Sequence, residues 1–270
     1  MLGNYRQVKY RRRNQIDNIM RVASLSANKT GALAGGKRYW LLALVLLAGA
    51  AAAAWWWWQP RANRPETMAR VLRLRAWFAD RGTHSAWEVH AGQRCANAPL
   101  LMPTNGFIGF GWDDSFRPGH RHSGYDIFSP LGVENMEPVV AAHAGYLTRE
   151  PDWISTVIIR HPDFAGVQPR AQVWTYYTHM AAADGQQSFV APEFPPGTKE
   201  VFVTAGTVLG KQGTWSGTQH LPTGLHLHFS VVRSKSDGGY ANETRIDNTY
   251  DPGPLLGVTA AADGVLRCAN

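Results

Sequence analysis

Cysteine is scarce in this 270-residue chain: Cys95 and Cys268 are the only two, too few for a disulfide-dense scaffold, a multi-cysteine zinc finger or an iron–sulfur cluster. Charge is thin as well. Asp, Glu, Lys and Arg make up 17% of residues against 44% hydrophobic, which excludes a disordered polyelectrolyte and leaves room for one sizeable core. There is no Gly-Lys-Ser/Thr phosphate cradle, no Gly-x-Ser-x-Gly elbow and no His-Glu-x-x-His helix. Acid is almost missing from residues 1–38, where nine Lys or Arg face the single Asp17, a balance of +8 within an overall +7. The remainder is therefore −1, and a nearly neutral main body speaks against nucleic acid as partner.

The basic tail runs into Trp40–Trp58, 19 residues without a charge. As a helix at ~1.5 Å per residue it spans roughly 28 Å, the depth of a bilayer's hydrocarbon core. Tyr39 and Trp40 at one end and Trp55–Trp58 at the other suit the two headgroup levels, and Lys37 and Arg38 place the N-terminal side in the cytoplasm. The expected organisation is a basic cytoplasmic tail (1–38), a single transmembrane helix (39–58), a juxtamembrane helical stalk with linker (59–91) and an outward-facing domain (92–270). A cleaved secretory signal, with its core at Leu41–Leu47 and small residues at Ala48–Ala54, is the competing reading. Both export the same domain, with a secreted form in the second case. The stalk helix is expected within Arg61–Gly82, presenting Val71, Leu74 and Phe78 on one face.

From about Gly92 the sequence turns to short β-rich runs broken by Gly, Pro and Asn, the texture of a mainly β, antiparallel domain. Cys95 and Cys268 lie at its two ends, and outside the membrane they can bond, the alternative being two unrelated buried thiols. Three stretches carry candidate chemistry: His122-Ser-Gly-Tyr-Asp126, Tyr177-Thr-His179-Met180 and His226-Leu-His228-Phe229. In a strand over Leu225–Val232, Leu225, Leu227, Phe229 and Val231 share the core face while His226, His228 and Ser230 share the other. The same alternation over Gln172–His179 groups Val173, Thr175, Tyr177 and His179, so that His179 joins the histidine cleft if the strands are neighbours. Two imidazoles and one carboxylate make a three-ligand zinc set that keeps one position open, and His122, Asp126 and His228 fit it. His179 and His226 are then free to hydrogen-bond water or a developing oxyanion.

The order of these motifs, with Val139–Leu147, Gly206–Gly210 and Asp251–Gly257 around them, resembles the lysostaphin-like (LytM-type) zinc metallopeptidases that cut peptidoglycan peptides. The resemblance implies an antiparallel β-sheet peptidase fold over most of Leu100–Gly257, Zn2+ on His122, Asp126 and His228, catalytic assistance from His179 and His226, and peptidoglycan peptides as substrate. It leaves open which of His179 and His226 is the general base, and it names no protein partner. A non-cleaving peptidoglycan-binding or hydrolase-regulating module of the same fold is the alternative. Met180 stands where the family has Leu, and Ser230 where an acid is common. Ala182–Thr204 reads as an insertion that walls or restricts the groove. His120 is a substitute for His122 if the register is misread. His143, His161 and His220 read as surface or loop positions, and Asp113 and Asp114 as a solvated turn.

Overall fold

The computed structural model describes residues 43–52, 65–114 and 120–269. The chain divides into two compact units, residues 1–58 and 59–270. In the first, residues 43–52 form a helix, α1, with exposed side chains; the rest of the expected 39–58 span, and the basic tail, lie outside the described residues. Among the described residues no helix is long and apolar enough to cross a membrane.

The second unit is mainly antiparallel β-sheet with few helices. After α2 (Pro65–Ala79) come β1 (Glu88–Val89), β2 (Gly106–Phe110), β3 (Tyr125–Phe128), β4 (Pro138–Val140), β5 (Gly145–Thr148), β6 (Val157–Phe164) and β7 (Ala171–Thr178). The chain continues through β8 (Val201–Val203), β9 (Val208–Lys211), β10 (His226–Arg233), β11 (Thr249–Tyr250), α3 (Pro252–Leu256), β12 (Val258–Ala260) and β13 (Leu266–Cys268). One large sheet runs β12-β13-β2-β3-β10-β7-β6-β5-β8, with β1 added to β2 and β11 to β10, while β4 and β9 form a small second sheet.

Two-residue alternation decides what each face of the large sheet buries. Ile127 of β3, Leu227, Phe229 and Val231 of β10, and Val173 and Tyr177 of β7 join Val139 and Leu209 from the small sheet in one apolar core. Tyr177 closes this core's polar account: its hydroxyl accepts from Ala142 N at 2.9 Å and donates to Thr175 Oγ1 at 3.0 Å. The register Leu227↔Ile127, His228↔Asp126 and Phe229↔Tyr125 turns His226, His228, Asp126 and Phe128 to the opposite face.

That opposite face also receives α2. Leu74 and Trp77 are buried against Phe107, Phe128 and Val265, with the Trp77 ring stacked on Phe107 at 5.3 Å. The stretch expected to stand off as a stalk is thus packed on the sheet. Of the expected face Leu74 is buried and Val71 half-buried, but Phe78 is exposed and Trp77 is the anchor. Cys95 and Cys268 are joined by a disulfide with Cα atoms 5.1 Å apart, closing a sequence separation of 173. The Ala182–Thr204 stretch is likewise built into the body: Phe189, Val190 and Phe194 enter the main core. The buried Arg149 guanidinium donates to Phe194 O at 2.8 Å and Ser188 Oγ at 3.0 Å, tying the stretch to β5.

Candidate metal centre and its cleft

The two halves of the centre come from adjacent strands. Asp126 on β3 faces His228 on β10 directly across the ladder, which is the closest approach two side chains on one face can make. Gly124 permits it: a Cβ there would stand 2.3 Å from Phe229 O and 2.6 Å from Ser230 Oγ, inside the van der Waals limit. The glycine of His-Ser-Gly-Tyr-Asp is a residue of close approach.

His122 reaches in from the segment just before β3. Its Nε2 lies 3.0 Å from Asp126 Oδ1 and 3.0 Å from His228 Nδ1, and His228 Nδ1 lies 2.9 Å from Asp126 Oδ1. All three residues are buried, at 3%, 6% and 8% exposure for His122, Asp126 and His228. The far nitrogens are fixed by acceptors. His122 Nδ1 donates to Gly111 O at 2.8 Å, while His228 Nε2 meets Ser230 Oγ at 2.8 Å and stands 3.6 Å from Glu243 Oε2. With the proton on each far nitrogen, the neutral imidazoles present lone pairs inward beside a carboxylate oxygen. Three acceptors aimed at one point repel unless a cation lies between them. Around zinc at ~2.0–2.2 Å, tetrahedral ligand atoms sit about 3.3 Å apart, so outward shifts of a few tenths of an ångström fit the ion. His122, Asp126 and His228 form a cluster able to hold a metal.

Electrostatics points the same way. Burial alone raises the Asp126 carboxyl, but His122 and His226 beside it outweigh that and hold it well below the ordinary range. For His228, burial opposes the charged form, yet Asp126 and Glu243 raise it to about 10. Without an ion the centre therefore retains a proton, and a metal must displace it.

Two more histidines flank the cluster. The His226 ring is stacked on Phe128 at 5.0 Å, its Nδ1 donates to Gly224 O at 2.6 Å, and its Nε2 lies 3.4 Å from Asp126 Oδ1. The His179 ring lies 4.7 Å from that of His226 and 6.1 Å from that of His228. Strand alternation does not deliver it there. Thr175 and Tyr177 lie opposite Val231 and Phe229 on the core face, so a continued pleat would bury His179 with them. The strand ends at Thr178, and His179 takes a left-handed backbone with φ 76°, a conformation that costs a non-glycine residue energy and re-aims its side chain. Its Nδ1 then donates to Trp215 O at 2.7 Å, leaving Nε2 free of that bond. Burial, with His226 and His228 nearby, pushes His179 down to about 3 and keeps it neutral.

These groups line a cleft of ≈ 860 Å³ with Phe110, His120, Thr178, Ser216, Thr218, Leu221, Thr223 and Glu243. The stretch after Trp215 supplies Ser216, Thr218, Leu221 and Thr223 to the cleft lining. The insertion contributes no lining residue and instead borders a separate cavity of ≈ 580 Å³ with Val208 and Lys211. His120 lines the cleft outside the three-residue cluster. His161 is buried on β6 between Ala144 O and Thr175 Oγ1, and Asp114 is buried as well, so both correct the expected surface placement. Glu243 is the residue that sequence reasoning missed. It lies in an irregular loop after β10, where the only motif, Asn242-Glu243-Thr244, reads as a glycosylation acceptor and says nothing of a metal site.

No family model and no curated protein matches the chain. Among solved structures it is similar to a candidate glycyl-glycine endopeptidase LytM from Ruminococcus gnavus, with TM-score 0.33 and 22% identity over 49% of this chain and 45% of that one. A candidate peptidase M23 from Pseudomonas aeruginosa gives TM-score 0.35 and 22% identity over 72% and 63% of the two chains. Lysostaphin, solved in solution, gives TM-score 0.33 and 21% identity over 59% and 60%. The chain thus spans less than two thirds of each of these structures.

Proposed function

We propose that the chain is a zinc endopeptidase of the lysostaphin-like type that hydrolyses peptide bonds of peptidoglycan, held at the outer face of the cytoplasmic membrane through residues 39–58. The observation that carries this reading is the convergence of His122 Nε2, Asp126 Oδ1 and His228 Nδ1 within about 3 Å of one another, with two further imidazoles on the same cleft. Zinc in such a set supplies Lewis acidity, polarising a carbonyl oxygen and lowering the pKa of water.

The remaining work falls to the chain. His179, with Nδ1–H committed to Trp215 O, offers Nε2 as proton acceptor for the attacking water. The proton then passes from Nε2 to the leaving amine. In its doubly protonated form His226, with oxygen acceptors beside both ring nitrogens, would donate from Nε2 towards oxygen that becomes negative as the carbonyl is attacked. Phe110, Leu221 and the threonines of the wall bound the extended peptide and limit water.

Purified peptidoglycan incubated with the full chain should release peptides detectable by mass spectrometry, and a chelator should stop the release. His179→Ala should lower turnover by about 10²–10⁴-fold, the usual scale of general acid–base help, while keeping its zinc. Intact wall after prolonged digestion with metal-loaded chain would contradict the reading and favour a non-cleaving wall-binding module.

A further inference from the structure

Arg70 lies one turn before Leu74 and two before Trp77, on the face of α2 that packs against the sheet. Its Nε stands 2.9 Å from Asp114 Oδ2, with side-chain exposures of 22% and 10%. Asp114 is buried at the end of the turn that follows β2, and it holds that turn in two ways. Its Oδ2 accepts from Gly111 N at 2.6 Å, and its carbonyl accepts from His122 N at 2.8 Å. Asp113 N donates in return to His122 O at 2.8 Å. Gly111, so clamped, presents the carbonyl that receives His122 Nδ1–H. Gly111 is in contact with all three neighbours: a Cβ there would lie 3.1 Å from Leu266 Cδ1, with Asp114 Oδ2 at 3.4 Å and Arg70 Cζ at 3.7 Å.

The chain of contacts runs from α2, packed on the sheet, to one candidate metal ligand in three steps. We propose that Arg70 is a positioning residue for His122: through Asp114 and Gly111 it fixes the carbonyl that orients this ring, so that docking of α2 and metal binding are coupled. The inference rests on the metal site proposed above. Removing Arg70 leaves a buried carboxylate without its cation, an arrangement that relaxes by moving the group or admitting water. Either response shifts Gly111, and the imidazole loses its fixed tautomer and direction. Linkage is reciprocal, so an ion on His122 must also strengthen the docking of α2.

The test is zinc affinity of the full chain, measured by competition with a chromophoric chelator, with the visible spectrum of the cobalt-substituted protein as a second readout. Asp114→Asn should weaken zinc binding about 10–100-fold, as loss of a group behind a ligand does. Arg70→Met should weaken it about tenfold and alter the cobalt spectrum, and Arg70→Lys should recover most of the loss. Arg73→Ala serves as control. It removes the bond from Arg73 Nε to Asp263 O, another tie between α2 and the domain that touches none of these residues, and it should leave affinity and spectrum unchanged. Amide exchange in α2 should slow on adding zinc to the wild type and not to Arg70→Met. Unchanged affinity in a folded Arg70→Met, or an equal loss in Arg73→Ala, overturns the inference while leaving the metal site standing. A wild-type chain that holds no zinc overturns both.

Discussion

At the scale of single residues, Glu243 and Ser230 show how the site is completed from off-pattern positions. Ser230 stands where an acid was expected and bonds His228 Nε2, while Glu243, held by Ser123 Oγ at 3.1 Å, brings the carboxylate from a loop. A histidine ligand backed by a carboxylate is oriented and made more basic. Glu243→Gln should therefore weaken zinc binding by about 10–100-fold with little change in fold, measurable by chelator competition. His161 makes a separate prediction about pH. Burial pushes it down to about 4, below the ~6.5 of an unfolded histidine. The unfolded chain thus binds the proton first. Stability from this residue is complete above pH ~6.5 and is lost as pH falls towards 4, on the order of 3 kcal/mol. Denaturant titrations between pH 7 and 4 should show a shallower acid loss in His161→Gln than in wild type. Nothing near His161 in sequence announces its burial, because both of its hydrogen-bond partners, Ala144 O just before β5 and Thr175 Oγ1 on β7, come from distant parts of the sequence.

At the scale of elements, β3 and β10 are the pair on which the centre depends. Gly124→Ala would drive a methyl into the β10 backbone at Phe229. It should cost about 1–3 kcal/mol, as overpacking does, and it should weaken metal binding in the same melts and titrations, because Asp126 must move away from His228. Alternation made β10 legible: its leucine–phenylalanine–valine row is buried in the core and its histidines share the other face. The same rule was used to bring His179 to the cleft, where it does lie, but the reason fails, since continued alternation would have buried it beside Tyr177. A period-two pattern assumes the strand continues, and a left-handed residue at the strand's end is a tertiary choice that composition does not signal. The insertion misled for a related reason. Its prolines mark a loop correctly, but whether a loop walls a cleft or plugs a core depends on Phe189, Phe194 and the distant Arg149.

At the scale of the whole molecule, the body from α2 to β13 is closed by the Cys95–Cys268 bond. A cross-link over so long a loop restricts the unfolded chain, and replacing both cysteines by serine should lower stability by about 2–4 kcal/mol without changing metal stoichiometry. The mainly β, antiparallel class was readable from short apolar runs between Gly and Pro. The docking of α2 was not, since the apolar face read from Val71, Leu74 and Phe78 is turned in the fold to bury Trp77 and expose Phe78. What unites these levels is a single ion-sized point met by two rings and one carboxylate from separate parts of the fold. Zinc analysis of the purified full chain and its His228→Ala and His179→Ala variants bears on it most directly. One zinc per chain is expected in the wild type and in His179→Ala, and none in His228→Ala; stoichiometric zinc retained by His228→Ala would contradict the ligand set.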